Sequence, residues 1–239
     1  MTRPAEAALR AAAIFAALHA RELQELAAVA REDAYGPRDY VFMEGDPALW
    51  FCLVKSGRVK IVRHSRTGKD VVLELLGPGE PFGAVAVIER RPYPAAAQAI
   101  EPTIVLKLPA DAVLALTDRH PSIVKELALT LGRRLRGAHD SVKALSVDPV
   151  EARVAARLLR LVERDGARGP QGATLPFHLT RQSLADMAGT TVETTIRIVS
   201  RWVREGLVAD SGGRLVVKDV KDLRARAEGA TGPGPTVRE

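Results

Sequence analysis

Glu193 and Arg197, one helical turn apart, are the side chains whose types and spacing point most directly to a chemistry. An arginine fork fits the O6 and N7 acceptors of guanine, and a carboxylate can accept a hydrogen bond from the N4 amino group of cytosine. The pair therefore predicts recognition of a G·C base pair. Two alternatives stay open at this point: Thr190 to Glu193 fits a helix capping box, and Glu193 with Arg197 fits an exposed i,i+4 ion pair.

The residues around this pair predict two short helices joined by a tight turn. Thr180 supplies a hydroxyl cap for a first helix that ends at Ala188, and Gly189 permits the positive φ of a sharp reversal. A second helix is predicted from Thr190 to Arg204. Its apolar positions share one face, and the residues left free on the other face are Val192, Glu193, Ile196, Arg197 and Ser200.

The second helix is followed by the pattern of a small β-hairpin. Leu207 to Asp210 and Arg214 to Val217 flank the turn Ser211-Gly212-Gly213. Helix, turn, helix and hairpin in this order predict a winged helix-turn-helix, whose second helix enters the major groove of DNA. The predicted base-reading residues are Val192, Glu193, Ile196 and Arg197, and the predicted phosphate contacts are Thr180, Arg181, Gln182, Thr191, Thr194 and Ser200. Arg201 either joins the phosphate contacts or is solvated.

Composition and charge agree with a nucleic-acid partner. The chain of 239 residues carries a formal net charge of +6, which favours polyanions through counterion release, and its length suggests two domains. The single cysteine, Cys52, excludes an internal disulfide and a cluster held by four thiolates of one chain, and a cytoplasmic location is expected. The apolar run Ala11 to Leu18 is short and predicts one amphipathic helix, so no membrane contact is expected.

The pattern ahead of Pro109 is that of strands. Short apolar runs alternate with glycines from Tyr40 to Pro109, which predicts a small β-barrel or jelly roll. The predicted strands are 40–42, 50–54, 59–62, 71–76 and 104–108. The predicted fold class is therefore α+β, with an N-terminal β-barrel or jelly-roll sensor domain, a long dimerisation helix and a C-terminal winged helix-turn-helix.

A long helix is predicted from Pro121, a favoured first-turn residue, to about Ser146. Its apolar positions recur at alternating steps of three and four, which is typical of a two-helix coiled coil and predicts a homodimer. The alternative is that these residues pack only on the chain's own barrel, but a helix about 39 Å long exceeds what one small barrel needs. The predicted interface residues are Val124, Leu127, Leu131, Leu135, Ala138, Val142 and Leu145.

Asp148-Pro149 breaks this helix and predicts a hinge between two domains. Residues 1–147 form the predicted sensor domain, including the dimerisation helix at about 121–146. Residues 148–226 form the predicted DNA-binding domain. Residues 227–239 are rich in Gly and Pro and predict a flexible tail.

Barrel, long helix, hinge and winged helix in this order resemble the CRP/FNR superfamily of bacterial transcription regulators, from Phe15 to about Leu223. The motifs that carry the resemblance are Val54 to Val59, Gly79 to Gly83, Arg133 to Leu135, Leu179 to Gln182, Gly189, and Thr191 to Arg197. The resemblance implies a cyclic-nucleotide-binding-like sensor domain, a homodimer on an inverted-repeat site of double-stranded DNA, and RNA polymerase as a further partner. It places Glu193 and Arg197 at base-reading positions. Val192 is as in the FNR branch, and Ile196 matches neither branch.

The resemblance also implies an effector pocket, whose residues here would be Gly83, Ala84, Ala95, Ala138 and His139. Members that bind cyclic AMP have a Glu after the glycine, an Arg-Ser pair, and hydroxyl residues on the long helix. This chain has Ala84, the stretch Pro94 to Ala97, and Ala138-His139 at those places, and it lacks the cluster-binding cysteines of the FNR branch. A phosphate buried without a cationic or N–H partner costs several kcal/mol, so cyclic AMP is not expected. An apolar pocket for another small effector, or a filled barrel in a constitutively competent regulator, both remain open.

The remaining reactive side chains predict no cofactor and no reaction. His139 could ligate haem or a metal ion, but no second His or Cys lies at ligand spacing, so a solvated histidine is favoured. The five histidines are scattered, with no nucleophile or carboxylate pair nearby, so an enzyme is not expected. The main alternative is a sensor barrel whose helical part binds a protein rather than DNA. Four arginines could bind an anion, although exposed loops account for them: Arg63, Arg66, Arg90 and Arg91.

Overall fold

The computed structural model describes residues 4–64, 70–170, 172–211 and 214–229. The chain divides into two compact units, Met1–Gly137 and Ala138–Glu239. The first unit is built on two β-sheets with helices packed on one of them, and the second is mainly helical with a small sheet. This mixed architecture confirms the predicted α+β class.

The first unit starts with two helices, continues with strands interrupted by a short helix, and ends in the long helix, which continues into the second unit. In chain order the elements are α1 (Pro4–Ala11), α2 (Ala20–Val29), β1 (Arg31–Tyr35), β2 (Tyr40–Phe42), β3 (Trp50–Ser56), β4 (Val59–His64), β5 (Asp70–Leu76), β6 (Pro81–Phe82), α3 (Ala84–Glu89), β7 (Ala96–Ala99), β8 (Thr103–Pro109), α4 (Ala110–Arg119) and α5 (Pro121–Val147). The five predicted strands are confirmed as β2, β3, β4, β5 and β8. Strands β1, β6 and β7 were not predicted.

Two antiparallel sheets, in the orders β1-β8-β3-β6 and β2-β7-β4-β5, form the jelly roll of this unit. An inner core draws side chains from both sheets, among them Cys52, Val59 and Val105. A second core joins the first sheet to the helices and contains Phe51 and Leu106. Strands β3 and β8 are therefore buried on both faces, which explains their continuous apolar sequence.

The predicted single helix over Ala11 to Leu18 is wrong. Helix α1 ends at Ala11, a 3₁₀ turn follows at Ala13–Phe15, and α2 begins at Ala20. The backbone N–H of His19 donates to the Glu22 carboxylate at 3.0 Å, which is half of a capping box. Ala12, Ile14, Phe15 and Leu18 of this run are buried because they pack at the connection between two helices, and not because they share one helical face.

After the end of α5, the second unit contains four further helices and four short strands within the described residues. In chain order they are α6 (Val150–Asp165), β9 (Ala167–Gly169), β10 (Gly172–Thr174), α7 (Arg181–Ala188), α8 (Val192–Arg204), β11 (Val208–Ser211), β12 (Arg214–Val217) and α9 (Val220–Ala227). The predicted hairpin is confirmed, since β11 pairs with β12 from Val208–Val217 to Ser211–Arg214. Gly212 and Gly213 of its turn lie outside the described residues.

Other parts of the second unit differ from prediction. Helices α6 and α9 were not predicted, and neither was the β9–β10 hairpin that extends the sheet to the order β11-β12-β10-β9. Ala227, where the predicted tail begins, is the last residue of α9. Residues 230–239 of that tail lie outside the described residues.

Trp202 is fully buried at the centre of the second unit, beside a cluster of charged side chains. Its Nε1 donates to Glu151 Oε1 of α6 at 2.8 Å. Arg226 of α9, only 7% exposed, pairs with Glu205 at 2.7 Å, with Asp222 at 3.1 Å and with Glu151 at 3.4 Å. Burial opposes ionisation of Glu151, but the hydrogen bonds from Trp202 and Arg201 outweigh it and lower the pKa of that carboxyl. The cluster fastens the end of α8 to both α6 and α9.

Replacing Arg226 with Met should destabilise the second unit by about 2–3 kcal/mol. The change leaves three carboxylates without their shared cation, and the loss lies below the ~3–5 kcal/mol of a fully buried pair because these carboxylates are partly exposed. Urea unfolding of the full chain, followed by Trp202 fluorescence in a Trp50→Phe background, measures it. Arg224→Met is the matched control on the same helix: its side chain is 56% exposed, so a loss below about 0.5 kcal/mol is expected. Equal losses for the two variants would contradict the role given to Arg226.

Candidate DNA-binding interface

Helices α7 and α8 are joined by the tight turn that the sequence predicted. The hydroxyl of Thr180 accepts from the backbone N–H of Ser183 at 3.0 Å and caps α7. Gly189 ends α7 with a φ of +62°, and a Cβ there would lie 2.5 Å from a methyl carbon of Leu145. The backbone conformation therefore favours glycine at this turn, and any larger residue would also have to displace the end of the Leu145 side chain.

Helix α8 starts two residues later than predicted. Thr191, and not Thr190, is the N-cap, and its hydroxyl accepts from the backbone N–H of Thr194 at 3.2 Å. The third residue after this cap is Thr194, so Glu193 does not occupy the acidic position of a capping box. The capping-box interpretation of Glu193 is wrong for this reason.

Helix α8 buries one face and exposes the other. The buried side chains are Thr195, Ile198, Val199 and Trp202. Glu193, Arg197 and Ser200 are exposed on the other side, together with Ile196, which is 48% exposed; Val192 is half-buried. The predicted division of this helix into a core face and a free face is therefore observed.

Glu193 and Arg197 are not committed to other parts of the chain. Within the residues that the structure describes, neither side chain has a hydrogen bond or an ion pair, with each other or with a third residue. The i,i+4 ion pair that the sequence left open is not formed. A free carboxylate and a free guanidinium on one exposed face can both bond to base edges.

Several predicted phosphate contacts already have partners in the chain. Arg181 pairs with Asp210 of β11 at 3.3 Å, and Gln182 Nε2 donates to Asp186 at 2.6 Å. Thr180 and Thr191 act as caps and hold the N-termini of α7 and α8 in shape. Thr194 is half-buried beside Thr191, and Ser200 is exposed.

Arg201 is neither free nor simply solvated. It forms an ion pair with Glu151 of α6 and lies 3.9 Å from Glu205 on its own helix. The sequence suggested a phosphate contact or solvation for Arg201. Neither interpretation included this ion pair, because Glu151 lies fifty residues earlier in the chain. The residue belongs to the cluster around Trp202.

Helix α5 carries an exposed apolar stripe on its surface. Helix and stripe were predicted over Pro121 to Ser146, and the helix ends one residue later. Leu127 is buried in the core of the first unit and Leu131 packs partly against it, so Leu127 does not belong to the exposed stripe. The exposed members are Val124, Leu135, Ala138, Val142 and Leu145.

The residues predicted to line an effector pocket fall in both units. Ala84, the first residue of α3, is 4% exposed, and Ala95 is 6% exposed. Gly83 has a φ of +74°, and a Cβ there would meet the Tyr93 ring at 3.0 Å. Ala138 and His139 lie in the second unit and are exposed. Gly83, Ala84 and Ala95 carry no cationic group that could pair with a bound anion.

Sequence reasoning did not single out Tyr93, which is 3% exposed. Its ring stacks on Phe42 with a centroid distance of 3.6 Å, and its hydroxyl donates to the Trp50 carbonyl at 2.6 Å. A lone tyrosine between two prolines in a loop gives no periodic signal, so only the packing identifies it. It occupies space next to Gly83.

Arg134 of α5 also has a role that its sequence position did not reveal. Its Nη2 donates to the Pro81 carbonyl at 2.7 Å, and its Nε lies 3.0 Å from the Glu74 carboxylate. These contacts join the long helix to strands β5 and β6. A movement of β6 would therefore act directly on α5.

Other candidate groups give no site. Arg63 pairs with Glu44 at 3.1 Å, Arg90 and Arg91 are exposed, and Arg66 lies outside the described residues. No group of three His, Cys, Asp or Glu side chains in the described part of the chain is placed to hold a metal ion. None of the described helices combines the length and apolarity needed to cross a membrane.

Comparison with known protein families gives a match for each half of the chain. The model of the cyclic nucleotide-binding domain matches residues 32–120, which hold the jelly roll. The model of the Crp-like helix-turn-helix domain matches residues 152–226, which hold α7, α8 and the β11–β12 hairpin.

Individual relatives extend over most of the chain. The cyclic AMP receptor protein of Thermus thermophilus is 35% identical over 189 residues, which cover 79% of this chain and 84% of that protein. The transcriptional activator protein anr of Pseudomonas aeruginosa is 27% identical, over 80% and 78%. The solved structure of FixK2 from Bradyrhizobium japonicum is similar with a TM-score of 0.73 at 25% identity, over 82% of this chain and 96% of that one. On the strength of the first of these relatives and of the two matched domains, the chain belongs to the CRP/FNR family of transcriptional regulators.

Proposed function

We propose that the protein binds an inverted-repeat DNA site as a homodimer and reads bases with the exposed face of α8. The observation that carries this proposal is that Glu193 and Arg197 are exposed, and without partners among the described residues, on a helix whose other face is buried. Arg197 would bind guanine and Glu193 the cytosine amino group, with Val192 and Ile196 against the neighbouring base pair.

Phosphate contacts would come from the residues around the two helix N-termini. Arg181 would exchange Asp210 for a phosphate oxygen, because the closely spaced phosphates of the duplex attract cations and binding releases condensed counterions. Thr180, Gln182, Thr191, Thr194 and Ser200 would supply further hydrogen bonds. Such contacts set the register of the protein on the duplex but carry no sequence information.

The homodimer would form through the exposed apolar stripe of α5. Val142 and Leu135 are 65% and 57% exposed in the single chain, and a partner helix would remove this surface from water. Twofold symmetry would then place the two copies of α8 about one DNA turn apart, roughly 34–36 Å. By family resemblance RNA polymerase is a further partner, and a cytoplasmic location follows from a DNA target in a bacterium.

The effector, in this proposal, is a small molecule other than cyclic AMP. The Thermus thermophilus relative is named for cyclic AMP, yet Ala84 and Ala95 occupy the places where the phosphate and ribose partners are expected. Both alanines are buried, and a methyl side chain can neither pair with a phosphate nor form a hydrogen bond with a ribose hydroxyl. No reaction is proposed.

Arg197→Ala should cost about 1–3 kcal/mol in binding to the selected site and relax preference at one base pair in each half-site. Fluorescence anisotropy on duplexes from a randomised selection measures the loss. Arg181→Ala is the control, because loss of a phosphate contact should weaken specific and random duplexes alike. Equal losses of Arg197→Ala on both kinds of duplex would show that this residue does not read bases.

Introducing Glu at both Leu135 and Val142 should convert the dimer to a monomer, because two charges per chain would be buried in an apolar seam. Sedimentation equilibrium measures the dimer dissociation constant, which should rise by more than about tenfold. Leu129→Glu is the matched control on the same helix: Leu129 is 46% exposed but lies off the stripe. If the Leu135→Glu/Val142→Glu variant stays dimeric and Leu129→Glu becomes monomeric, the interface lies elsewhere on the helix.

Cyclic AMP at about 1 mM should give no binding heat and should change the affinity for DNA by less than about twofold. The physical reason is that Ala84 supplies no carboxylate for the ribose and that Pro94 and Ala95 supply neither the cation nor the hydroxyl for the phosphate. Isothermal titration and anisotropy measure the two quantities. Tight, saturable binding of cyclic AMP would refute this part of the proposal.

A further inference from the structure

A cleft of about 250 Å³ opens into the inner core of the jelly roll. Ala84 and Ala95 do not line it. Its mouth is formed by the loop between β2 and β3, and its floor by side chains of β3 and β8. The lining residues are Val41, Phe42, Asp46, Pro47, Leu49, Trp50, Cys52, Tyr93 and Lys107.

The walls of this cleft are largely flat and apolar. Phe42 and Tyr93 are stacked with an interplanar angle of 8°, and the half-buried Trp50 adds a third aromatic ring. Cys52 at the floor is fully buried, and burial raises the pKa of its thiol to about 12, so it contributes an uncharged surface. Sites for drug-sized ligands usually measure about 300–1,000 Å³, so this smaller cleft suits a single planar ring.

Lys107 gives the floor a polar group. Its Nζ lies 3.0 Å from Asp33 Oδ2 and 5.3 Å from the centroid of the Tyr35 ring. Hydrogen bonds to Asp33 and to the side chain of Tyr35 take two of the three N–H donors of the ammonium group, so one donor is left for a ligand. Since Asp33 already balances the charge of Lys107 and Asp46 stands at the mouth, an anion would gain no net attraction here.

We infer that this cleft binds a small, neutral, single-ring aromatic molecule whose hydrogen-bond acceptor points at Lys107. The ring would lie against Trp50, Phe42 and Tyr93, and the acceptor oxygen would take an N–H of the Lys107 ammonium.

Tyr93 connects this site to the long helix. Its ring lies against Gly83, where an added Cβ would be only 3.0 Å away. Two residues earlier, the Pro81 carbonyl accepts from Arg134 of α5. A ligand that displaces Tyr93 therefore acts on the segment from Pro81 to Gly83, which α5 contacts through Arg134. The site's role as the effector site rests on the proposed DNA-binding function, but binding of the ligand does not.

Saturation-transfer NMR on the full-length protein tests the site with three probes of similar size. Benzamide carries a neutral carbonyl, benzoate carries a charge, and toluene has no acceptor. Benzamide should bind, and the other two should bind at least about tenfold more weakly. No saturable binding of benzamide, or equal binding of all three, overturns the inference.

Two variants locate the binding. Leu49→Arg places a long charged side chain at the mouth, where Leu49 is 63% exposed, and should abolish binding without disturbing the core. Val29→Arg, at a position 50% exposed on α2 and away from the cleft, should leave binding unchanged. Lys107→Met should reduce benzamide binding to the level of toluene. Benzamide binding that survives Leu49→Arg excludes this cleft.

Anisotropy on the selected duplex then separates the ligand site from its regulatory role. Saturating benzamide should change the DNA affinity of the wild type about fivefold or more and leave that of Leu49→Arg unchanged. Benzamide binding without any change in DNA affinity overturns the regulatory role alone. DNA binding in a protein that ignores benzamide overturns the site and leaves the proposed function standing.

Discussion

The packing of Trp202 is the interaction on which the DNA-binding half depends. Helix α8 can present Glu193 and Arg197 only if its other face is held without slippage, and the fully buried indole holds it. The hydrogen bond from Trp202 to Glu151 also fixes the rotation of the helix, because a directional bond tolerates less turning than apolar contact does. The same helix is thereby rigid on one face and uncommitted on the other, which is what recognition of a rigid duplex requires.

The charged cluster beside Trp202 extends this constraint to the rest of the unit. Arg226 and Arg201 bring α9 and α8 to the carboxylate of Glu151. A cluster of this kind gives little net stability over apolar packing, since each buried charge must lose its hydration. Its ion pairs and hydrogen bonds join side chains of α6, α8 and α9 at defined distances. We therefore expect the cluster to favour this arrangement of the three helices over others.

The first unit packs small side chains where Gly83 leads the chain into α3. Ala84 and Ala95 are buried, and Tyr93 fills the space beside Gly83. Tyr93 also lines the cleft together with Phe42, Trp50 and Lys107. Because Arg134 donates to the Pro81 carbonyl two residues before Gly83, helix α5 contacts the segment against which Tyr93 packs.

The sequence by itself determined the elements whose signals are local. Hydroxyl caps, the turn at Gly189, the exposed face of α8 and the strands with regular apolar runs could all be predicted, because each depends on residues within one or two turns of chain. Strands β1 and β7 were not predicted because β1 is largely charged and β7 is mostly alanine. The run Ala11 to Leu18 was wrongly predicted as one helix because apolar residues buried at a connection between helices give the same sequence pattern as the buried face of a helix. Tertiary structure alone decided that Arg201 is paired, that Leu127 is buried and that Tyr93 borders a cleft. Those outcomes depend on contacts between residues far apart in the chain, and no local pattern encodes them.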